Sequence, residues 1–263
     1  MAITAKDVQT LRQSTGVGMM DAKKALEANN GDMEAATQWL RVQGLASAAK
    51  RSDRIAGEGA VAVVRDGNAA GIVELRCETD FVAKSEEFVG LVDEIAARVA
   101  AEGEGATAQF QDRLETLLTT LKENISLGRV FRVEAGDGEV VETYIHQQSG
   151  RGVNAVAVVV RGADRDVAHE VAVHIAFAKP LYLKREDVPS AEVDAERATV
   201  EEISRNEGKP EAALPKIIEG RLNGWFKERV LLEQAYVKDE KQTIEQYLHG
   251  ATITAFAQVV VGG

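Results

Sequence analysis

The 263-residue sequence has a single cysteine and fewer basic than acidic side chains. Its one cysteine, Cys77, excludes an intramolecular disulfide and a zinc site built from several cysteines, and it fits a reducing, cytoplasmic location. Lys and Arg number 31 against 42 Asp and Glu, so the net charge is −11. Because an acidic chain repels phosphate backbones, we expect no direct binding to nucleic acid.

Long apolar runs, targeting signals and nucleotide-binding motifs are also missing from the sequence. The nearest approach to a membrane span is VNAVAVVV at 153–160, which falls well short of the ~18 apolar residues required. The N-terminal segment lacks the basic leader and apolar run of a signal peptide. Neither a GxxxxGK nor a GxGxxG pattern occurs, so we expect no membrane span, no cofactor and no small-molecule substrate.

Candidates for catalytic or metal-binding chemistry are few. Cys77 could pair with a histidine such as His146, but it ends a strand pattern without a nucleophile motif, which favours a buried structural cysteine. His169 and His174 are five residues apart and so lie on different faces of a helix. We therefore predict no metal site and no enzyme, and a hydrolase built on Cys77 stays as the catalytic alternative.

The first 52 residues predict a small module of three helices. Thr4 and Asp7 have the spacing of a capping box before the first helix, and residues 15–18 (TGVG) interrupt the helical pattern. Three helices in about 50 residues bury a marginal core, so we expect the module to depend on its neighbours or on a partner. The polar, basic stretch at 48–54 predicts a helix end followed by a linker.

Three residues of this module are candidates for contact with another protein. Met19 falls on the apolar stripe of the second helix, so the periodicity predicts that it lies in the core. Met20 points about 100° away from Met19 and is expected to be exposed, where a flexible thioether suits an adaptable interface. Arg12, near the end of the first helix, either complements the helix dipole or contacts a partner.

From residue 59 the apolar period changes from that of helices to that of strands. Two strands around the turn at 66–68 predict a β-hairpin, and a helix begins at Ser85. A similar hairpin and helix recur roughly 80 residues later. We therefore predict an α+β fold with a two-part core, in which each part is a small antiparallel sheet backed by helices.

The predicted core is interrupted by a helical insertion. The first part of the core spans 53–137, with a helix at about 110–126, and the second part spans 138–187 and 234–263. Two narrow apolar stripes within 188–233 predict a projecting antiparallel helical hairpin. The stripes consist of Val193, Val200 and Ile203 on one helix and Ile218, Leu222 and Trp225 on the other. The last run, at 251–261, is expected to return as a strand to the second sheet.

The segment Thr79-Asp80-Phe81-Val82 joins the first hairpin to the following helix and allows two interpretations. In the first, Thr79 caps a turn and Phe81 fills the junction between sheet and helix; the local pattern alone favours this interpretation. In the second, Phe81 is an exposed aromatic anchor beside Asp80, because loops on rigid scaffolds commonly carry function and aromatic residues are typical interface hot spots.

Several motifs together resemble those of bacterial translation elongation factor Ts. The stretch LRQSTGVGMMDAKKALEANNGDMEAA is similar to the first module of that family, and TDFVAK at 79–84 is similar to its most recognisable hexapeptide. HIAFAKPLYL at 174–183 and the helical hairpin match in order and spacing. The resemblance covers nearly the whole chain. It implies a ubiquitin-associated-like three-helix module, a two-part α+β core and a coiled-coil hairpin.

The resemblance also implies a function and a partner: a guanine-nucleotide exchange factor that binds elongation factor Tu. Asp80 and Phe81 would approach the Mg²⁺ site of that partner, with Phe81 as a wedge. Thr79 and Val82 would belong to the same intruding element. Loss of the support for Mg²⁺ would then promote GDP release during translation elongation.

The same resemblance implies further partner contacts outside that element. Arg12, Met19 and Met20 match positions that would grip the GTPase domain of elongation factor Tu. His146, in Tyr144-Ile-His146, matches a position near the phosphate-binding side of the partner. The non-enzymatic alternative is a scaffold whose N-terminal helices recognise a different protein, in which case the segment at 79–84 is structural.

Overall fold

The computed structural model describes residues 3–49, 51 and 53–263. Its N-terminal module consists of three helices, α1 (Ala5–Thr15), α2 (Met19–Ala28) and α3 (Met33–Ala49). The predicted capping box is confirmed, because the Thr4 hydroxyl accepts a hydrogen bond from the Asp7 N–H and the Asp7 carboxylate accepts one from the Thr4 N–H at 2.9 Å. Residues 50 and 52 of the predicted linker lie outside the described residues.

The first part of the core is an antiparallel sheet of three strands in the order β1-β2-β3. The predicted hairpin is confirmed, with the turn at 67–68 between its two strands. The elements in chain order are β1 (Glu58–Asp66), β2 (Ala69–Cys77), α4 (Asp80–Ala83), α5 (Glu86–Glu102), α6 (Gln111–Leu121) and β3 (Ser126–Glu134).

The helix predicted over 110–126 ends earlier, at Leu121. Lys122 has a left-handed backbone with φ of 58°, which a right-handed helix cannot continue, and Ser126 already pairs with Arg76 in the sheet. The prediction is therefore wrong beyond Leu121, and it missed strand β3. That strand is at the sheet edge and largely half-exposed, so it carries a weak apolar signal.

The second part of the core repeats the hairpin and helix. Its strands β4 (Glu139–Gln148) and β5 (Arg151–Arg161) precede α7 (Arg165–Ala178), and the remaining elements are α8 (Ser190–Asn206), α9 (Leu214–Arg229), β6 (Ala235–Tyr236), β7 (Asp239–Thr243), α10 (Ile244–Tyr247) and β8 (Thr252–Val260). Strand β8 pairs with β5, which confirms the predicted return of the last strand. The boundaries that we assign to the parts of the chain stay predictions.

The two sheets pack face to face, and helices cover both outer faces, which confirms the α+β prediction. Each strand alternates its side chains between the two faces. In β2, Ile72 points to the other sheet, whereas Val73 and Leu75 point to α5. The inner faces meet through small and β-branched side chains: Ala70, Ala155, Ala157, Val159, Ala257 and Val259.

The helices α8 and α9 form the predicted antiparallel hairpin with a narrow buried seam. The seam consists of Val200, Leu214, Ile218 and Leu222. Three predicted members lie outside this seam. Ile203 is exposed and Ser204 is buried instead, while Val193 and Trp225 are half-buried and pack against a separate cluster that contains Phe226. On α9 the seam follows the i, i+4 repeat Leu214, Ile218 and Leu222.

The N-terminal module rests against α6 through a close contact. A Cβ atom added at Gly44 of α3 would lie 2.3 Å from Cγ2 of Thr119, so any other residue there would force Thr119 to move. Arg41 of the same helix pairs with Asp112 and Glu115 at 2.7 and 2.9 Å. Because exposed ion pairs contribute little stability, the close contact at Gly44 constrains the packing of the N-terminal module against α6 more strongly than the ion pairs do.

Candidate partner-binding surface

The short helix α4 is held between two rigid elements. Thr79 is its N-cap, and Oγ1 of Thr79 accepts a hydrogen bond from the Val82 N–H at 3.4 Å. Ser85 caps the next helix, and its hydroxyl donates to the Val82 carbonyl at 2.8 Å. With strand β2 ending at Cys77 on one side and a capped helix on the other, α4 has a fixed orientation.

Glu123, which sequence analysis missed, anchors the start of α4. One of its carboxylate oxygens accepts hydrogen bonds from the N–H groups of Glu78 and Thr79 at 3.0 and 3.1 Å. The other accepts a hydrogen bond from the Thr79 hydroxyl at 2.5 Å. Because Glu123 is 44 residues from Thr79, no local pattern in the sequence indicates this anchor.

Phe81 is 84% exposed, which excludes the interpretation that the local pattern alone favours, in which it fills the junction between sheet and helix, and fits the other, in which its ring is exposed. A four-residue helix turns only one side toward the core, and the fully buried Ala83 takes that side. Val82 is half-buried against the same cluster, and Phe88 lies within it. Aromatic side chains are enriched among the residues that dominate binding at protein interfaces, so the exposed ring of Phe81 is a candidate contact.

Asp80, the neighbour of Phe81, carries a negative charge. Its Oδ2 lies 2.5 Å from Nζ of Lys84, one helical turn later. This hydrogen bond from Lys84, together with the charges of Lys84 and Arg151, lowers the pKa of the Asp80 carboxyl. Asp80 is therefore ionised at neutral pH, and α4 presents an aromatic ring beside a carboxylate.

The predicted contact residues of the N-terminal module are all exposed. Met20 is 74% exposed, as predicted, but Met19 is 47% exposed, so its predicted place in the core is wrong. Met19 is the first residue of α2, and Val17, just before the helix, fills the adjoining part of the core. Arg12 lies in the last turn of α1, where a cation also complements the helix dipole.

The turn after α6 connects the N-terminal module to α4. Nζ of Lys122 lies 2.7 Å from Oδ2 of Asp21, the residue that follows Met20. The next residue of the turn, Glu123, holds Thr79. The region around Met20 and the helix α4 are therefore tied to the same turn, whereas His146 lies in the other sheet.

His146 is exposed near the end of β4, opposite Asn154 of β5. It lines a groove together with Arg151. Arg151 pairs with Glu58 at 2.7 Å and donates a hydrogen bond to the Gly59 carbonyl, so it links the β4–β5 hairpin to strand β1. Sequence analysis missed Arg151, because one arginine after a turn carries no signal of a contact between two sheets.

The surroundings of Cys77 do not favour a reactive thiol. Cys77 is buried, its Sγ donates to the Thr79 carbonyl at 3.3 Å, and burial raises the pKa of its thiol to about 12. A buried, protonated thiol is a poor nucleophile at neutral pH, which argues against the hydrolase alternative. Within residues 3–49, 51 and 53–263, no cluster of His, Cys, Asp and Glu could hold a metal ion, and no helix has the length and apolar character to cross a membrane.

The chain is similar to known proteins over nearly its whole length. The family model described as Elongation factor TS matches residues 78–263, which include α4 and His146. The chain is 47% identical to the elongation factor Ts of Clavibacter michiganensis subsp. michiganensis (strain NCPPB 382), over 98% of each chain. It is also 47% identical to that of Leifsonia xyli subsp. xyli (strain CTCB07), over 99% of each chain, and 42% identical to that of Micrococcus luteus, over 98% of each chain. The chain therefore belongs to the elongation factor Ts family, whose members act as nucleotide exchange factors in translation elongation and do not catalyse a chemical reaction.

Proposed function

We propose that the chain binds elongation factor Tu in the cytoplasm, perturbs the Mg²⁺ and phosphate site of that GTPase, and so promotes GDP release. The observation that carries this proposal is the exposed ring of Phe81 on the anchored helix α4, beside the ionised Asp80. Membership of the elongation factor Ts family supports the choice of partner.

The physical task is to bind one state of the partner better than another. A GTPase holds GDP through phosphate contacts and Mg²⁺, and its switch segments respond to both. By reciprocity, the factor by which the chain weakens GDP binding is the factor by which GDP weakens binding of the chain. Moving a two-state equilibrium, here between the nucleotide-loaded and the nucleotide-free partner, from 1:99 to 99:1 requires the chain to bind one state ~5.5 kcal/mol more strongly than the other. A difference of that size requires a broad interface.

The helix α4 is the part of that interface that we assign to the nucleotide site. Phe81 is proposed to wedge between partner side chains that support Mg²⁺, with Asp80 at the same site. Thr79 and Val82 fix the helix that carries them, through the cap and the half-buried packing against the core. Because α4 is already ordered, little conformational entropy is lost when it inserts.

The other proposed contacts lie outside α4. Arg12, Met19 and Met20 are proposed to grip the GTPase domain, and their exposure supports this assignment. His146 is proposed to contact the partner near its phosphate-binding side. Exposed methionines suit such a role, since the thioether side chain adapts to the surface that it meets.

Stopped-flow release of fluorescent GDP from elongation factor Tu tests the function directly. We expect the chain to accelerate release in proportion to its concentration until the partner is saturated. Equal release rates with and without the chain would refute the exchange function and would favour a scaffold for another protein.

The variant Phe81→Ala tests the role of α4. Truncation of an aromatic hot spot commonly weakens an interaction by about 2 kcal/mol or more, so we expect the maximal rate of stimulated release to fall by at least about 30-fold. Because Phe81 is exposed, the melting temperature should not change. The matched control is Phe131→Ala on the edge strand β3, where the ring is 38% exposed. A Phe81→Ala protein as active as the native chain would rule out the wedge.

A further inference from the structure

The last turn of α6 is where the N-terminal module packs against the core. A Cβ atom added at Gly16 would lie 3.0 Å from Cγ2 of Thr120, and the contact of Gly44 with Thr119 is closer still. Within the described part of the chain, the buried core of the module consists of module residues alone. Docking of the module on α6 therefore depends on these close contacts and on ion pairs, and not on a shared apolar core.

The turn after α6 links that docking contact to α4 through two adjacent side chains. Lys122 pairs with Asp21 of the module at 2.7 Å. Glu123 accepts hydrogen bonds from the N–H and the hydroxyl of Thr79, at the start of α4. Because one peptide unit joins the two residues and is close to planar, a displacement of Lys122 also displaces Glu123. The position of the module is therefore transmitted to α4.

Asn124, the next residue of the turn, holds the segment that joins the module to strand β1. Its side-chain amide donates a hydrogen bond to the Arg54 carbonyl at 2.8 Å, and its N–H donates to Oε1 of Glu78 at 2.7 Å. Arg54 also pairs with Glu78 at 3.4 Å. The turn at 122–124 thus contacts the module, the connecting segment and the start of α4.

The backbone of Lys122 indicates that its side chain has a role in this turn. Its φ of 58° lies in the left-handed region, where the Cβ atom of most residues approaches a carbonyl oxygen too closely and glycine is favoured. The cation complements the dipole at the end of α6, and the ion pair with Asp21 adds a second reason for a lysine. A substitution at Asp21 isolates the ion pair, because it leaves the lysine at the helix end.

We propose that docking of the N-terminal module on α6 stabilises the closed form of α4, in which Thr79 is hydrogen-bonded to Glu123, and that Lys122 is the positioning residue that couples the two. By reciprocity, docking favours closure of α4 by the same factor by which closure favours docking. A molecule that binds the docked module therefore also orders α4, although it does not contact that helix.

The coupling joins the two regions that we assign to partner contact. Met20 directly precedes Asp21, and Phe81 lies on α4, so the same turn positions both side chains. A partner that meets both regions then binds a surface whose two parts are ordered together, which reduces the conformational entropy lost on binding. The coupling itself is a property of the free chain, and only its use in nucleotide exchange rests on the proposed function.

Hydrogen exchange of individual amides in the free chain tests the coupling. The N–H groups of Ala83 and Lys84 report opening of α4, because they bond to carbonyls at its start. In Asp21→Asn both should exchange about two- to fivefold faster, as expected for the loss of an exposed ion pair. At about 1 M salt, where the Debye length is about 3 Å, the native chain should exchange as fast as this variant.

Two further variants control for charge and for the shape of the turn. Glu27→Gln removes the same charge from α2, but Glu27 pairs with Lys23 within that helix at 3.7 Å, so α4 should exchange at the native rate. Lys122→Asn keeps the left-handed turn, since asparagine tolerates that conformation. Because Lys122→Asn and Asp21→Asn break the same ion pair, the double variant should exchange no faster than the faster single variant.

Three results would overturn the coupling: native exchange rates of α4 in Asp21→Asn, the same acceleration in Glu27→Gln, or effects that multiply in the double variant. Faster exchange in the middle of α5 as well would also overturn it, because it would indicate a general loss of stability. None of these measurements includes the partner. Failure of the native chain to accelerate GDP release from elongation factor Tu would therefore refute the proposed function and leave the coupling intact.

Discussion

The anchor of α4 can be removed by one substitution, Glu123→Ala. The Glu123 carboxylate accepts three hydrogen bonds, two from the backbone N–H groups of Glu78 and Thr79 and one from the Thr79 hydroxyl. Without the carboxylate, these three donors form hydrogen bonds to water instead, and the N-cap residue Thr79 is no longer held in place. We expect α4 to open more often while the rest of the fold persists.

The size of the effect follows from the strength of those bonds. A hydrogen bond to a charged group contributes roughly 1.5–3 kcal/mol where water is excluded. Glu123 is half-buried, so water replaces part of each bond, and we assign about 2 kcal/mol to the three together. This corresponds to an increase of about 30-fold in the population of the open form of α4.

Hydrogen exchange of individual amides measures that opening. The N–H groups of Ala83 and Lys84 bond to the carbonyls of Thr79 and Asp80 at 3.2 and 3.1 Å, so their exchange reports on α4. In Glu123→Ala both should exchange about 30-fold faster, while amides in the middle of α5 keep their rates.

A matched variant, Glu123→Gln, keeps the shape of the side chain and removes its charge, so it shows how much of the effect depends on the charge. Its amide oxygen can still accept from the two backbone N–H groups, and its amide nitrogen can donate to the Thr79 hydroxyl. The acceleration should therefore be smaller than in the alanine variant. If Ala83 and Lys84 exchange in Glu123→Ala as slowly as in the native chain, Glu123 does not hold α4, and the argument for a preorganised Phe81 loses its basis.

Three other sites are expected to respond to a single change. The Cys77 thiol, whose pKa burial raises to about 12, should react with a thiol reagent at neutral pH only after unfolding; rapid labelling of the native protein, seen by mass spectrometry, would contradict this. Burial lowers the pKa of His174, so the unfolded chain binds the proton first. Relative to His174→Gln, the free energy of unfolding should be constant above about pH 6.5 and fall by up to about 1.4 kcal/mol per pH unit below it; denaturant titrations with the same pH profile for both proteins would refute this. Gly44→Ala drives a methyl group into Thr119 and should destabilise the docked module by about 1–3 kcal/mol, whereas Gly90→Ala, in open space within α5, should stabilise the chain slightly; equal melting temperatures of the two variants would show that the Gly44 contact yields easily.

Elements with a strong apolar period and an explicit cap could be predicted from the sequence. The helix α1 begins at the capping box of Thr4 and ends at Gly16, which has a positive φ of 70°. Both β-hairpins have alternating or continuous apolar runs around short polar turns. In these segments local propensity and tertiary packing favour the same structure, so local reasoning suffices.

The failed predictions of burial share one physical reason: periodicity shows which face of an element is apolar, but not whether another element covers it. Met19 lies on the apolar stripe of α2 yet precedes the part that the other helices cover. Phe81 lies in a helix too short to bury more than one side. Likewise, Glu123 and Arg151 act across long sequence separations, which the pattern around each residue cannot show.

Because the rings of Phe81 and Phe177 are exposed, neither contributes the stability that a buried ring would give the free chain. Burial of a large apolar side chain contributes about 1.5–3 kcal/mol, and the fold leaves both rings in water while it buries Ala83 and Ala176 beside them. Hydrogen bonds to Glu123 fix the start of the helix that carries Phe81, and a hydrogen bond from Asn154 fixes the end of the helix that carries Phe177. A surface ordered in this way loses little conformational entropy when a partner covers it, so the apolar area translates into affinity. Substitutions of the anchoring residues should therefore reduce binding through disorder, whereas substitutions of the rings should reduce it through lost contact. The two effects are distinguishable, because only the first changes hydrogen exchange in the free protein.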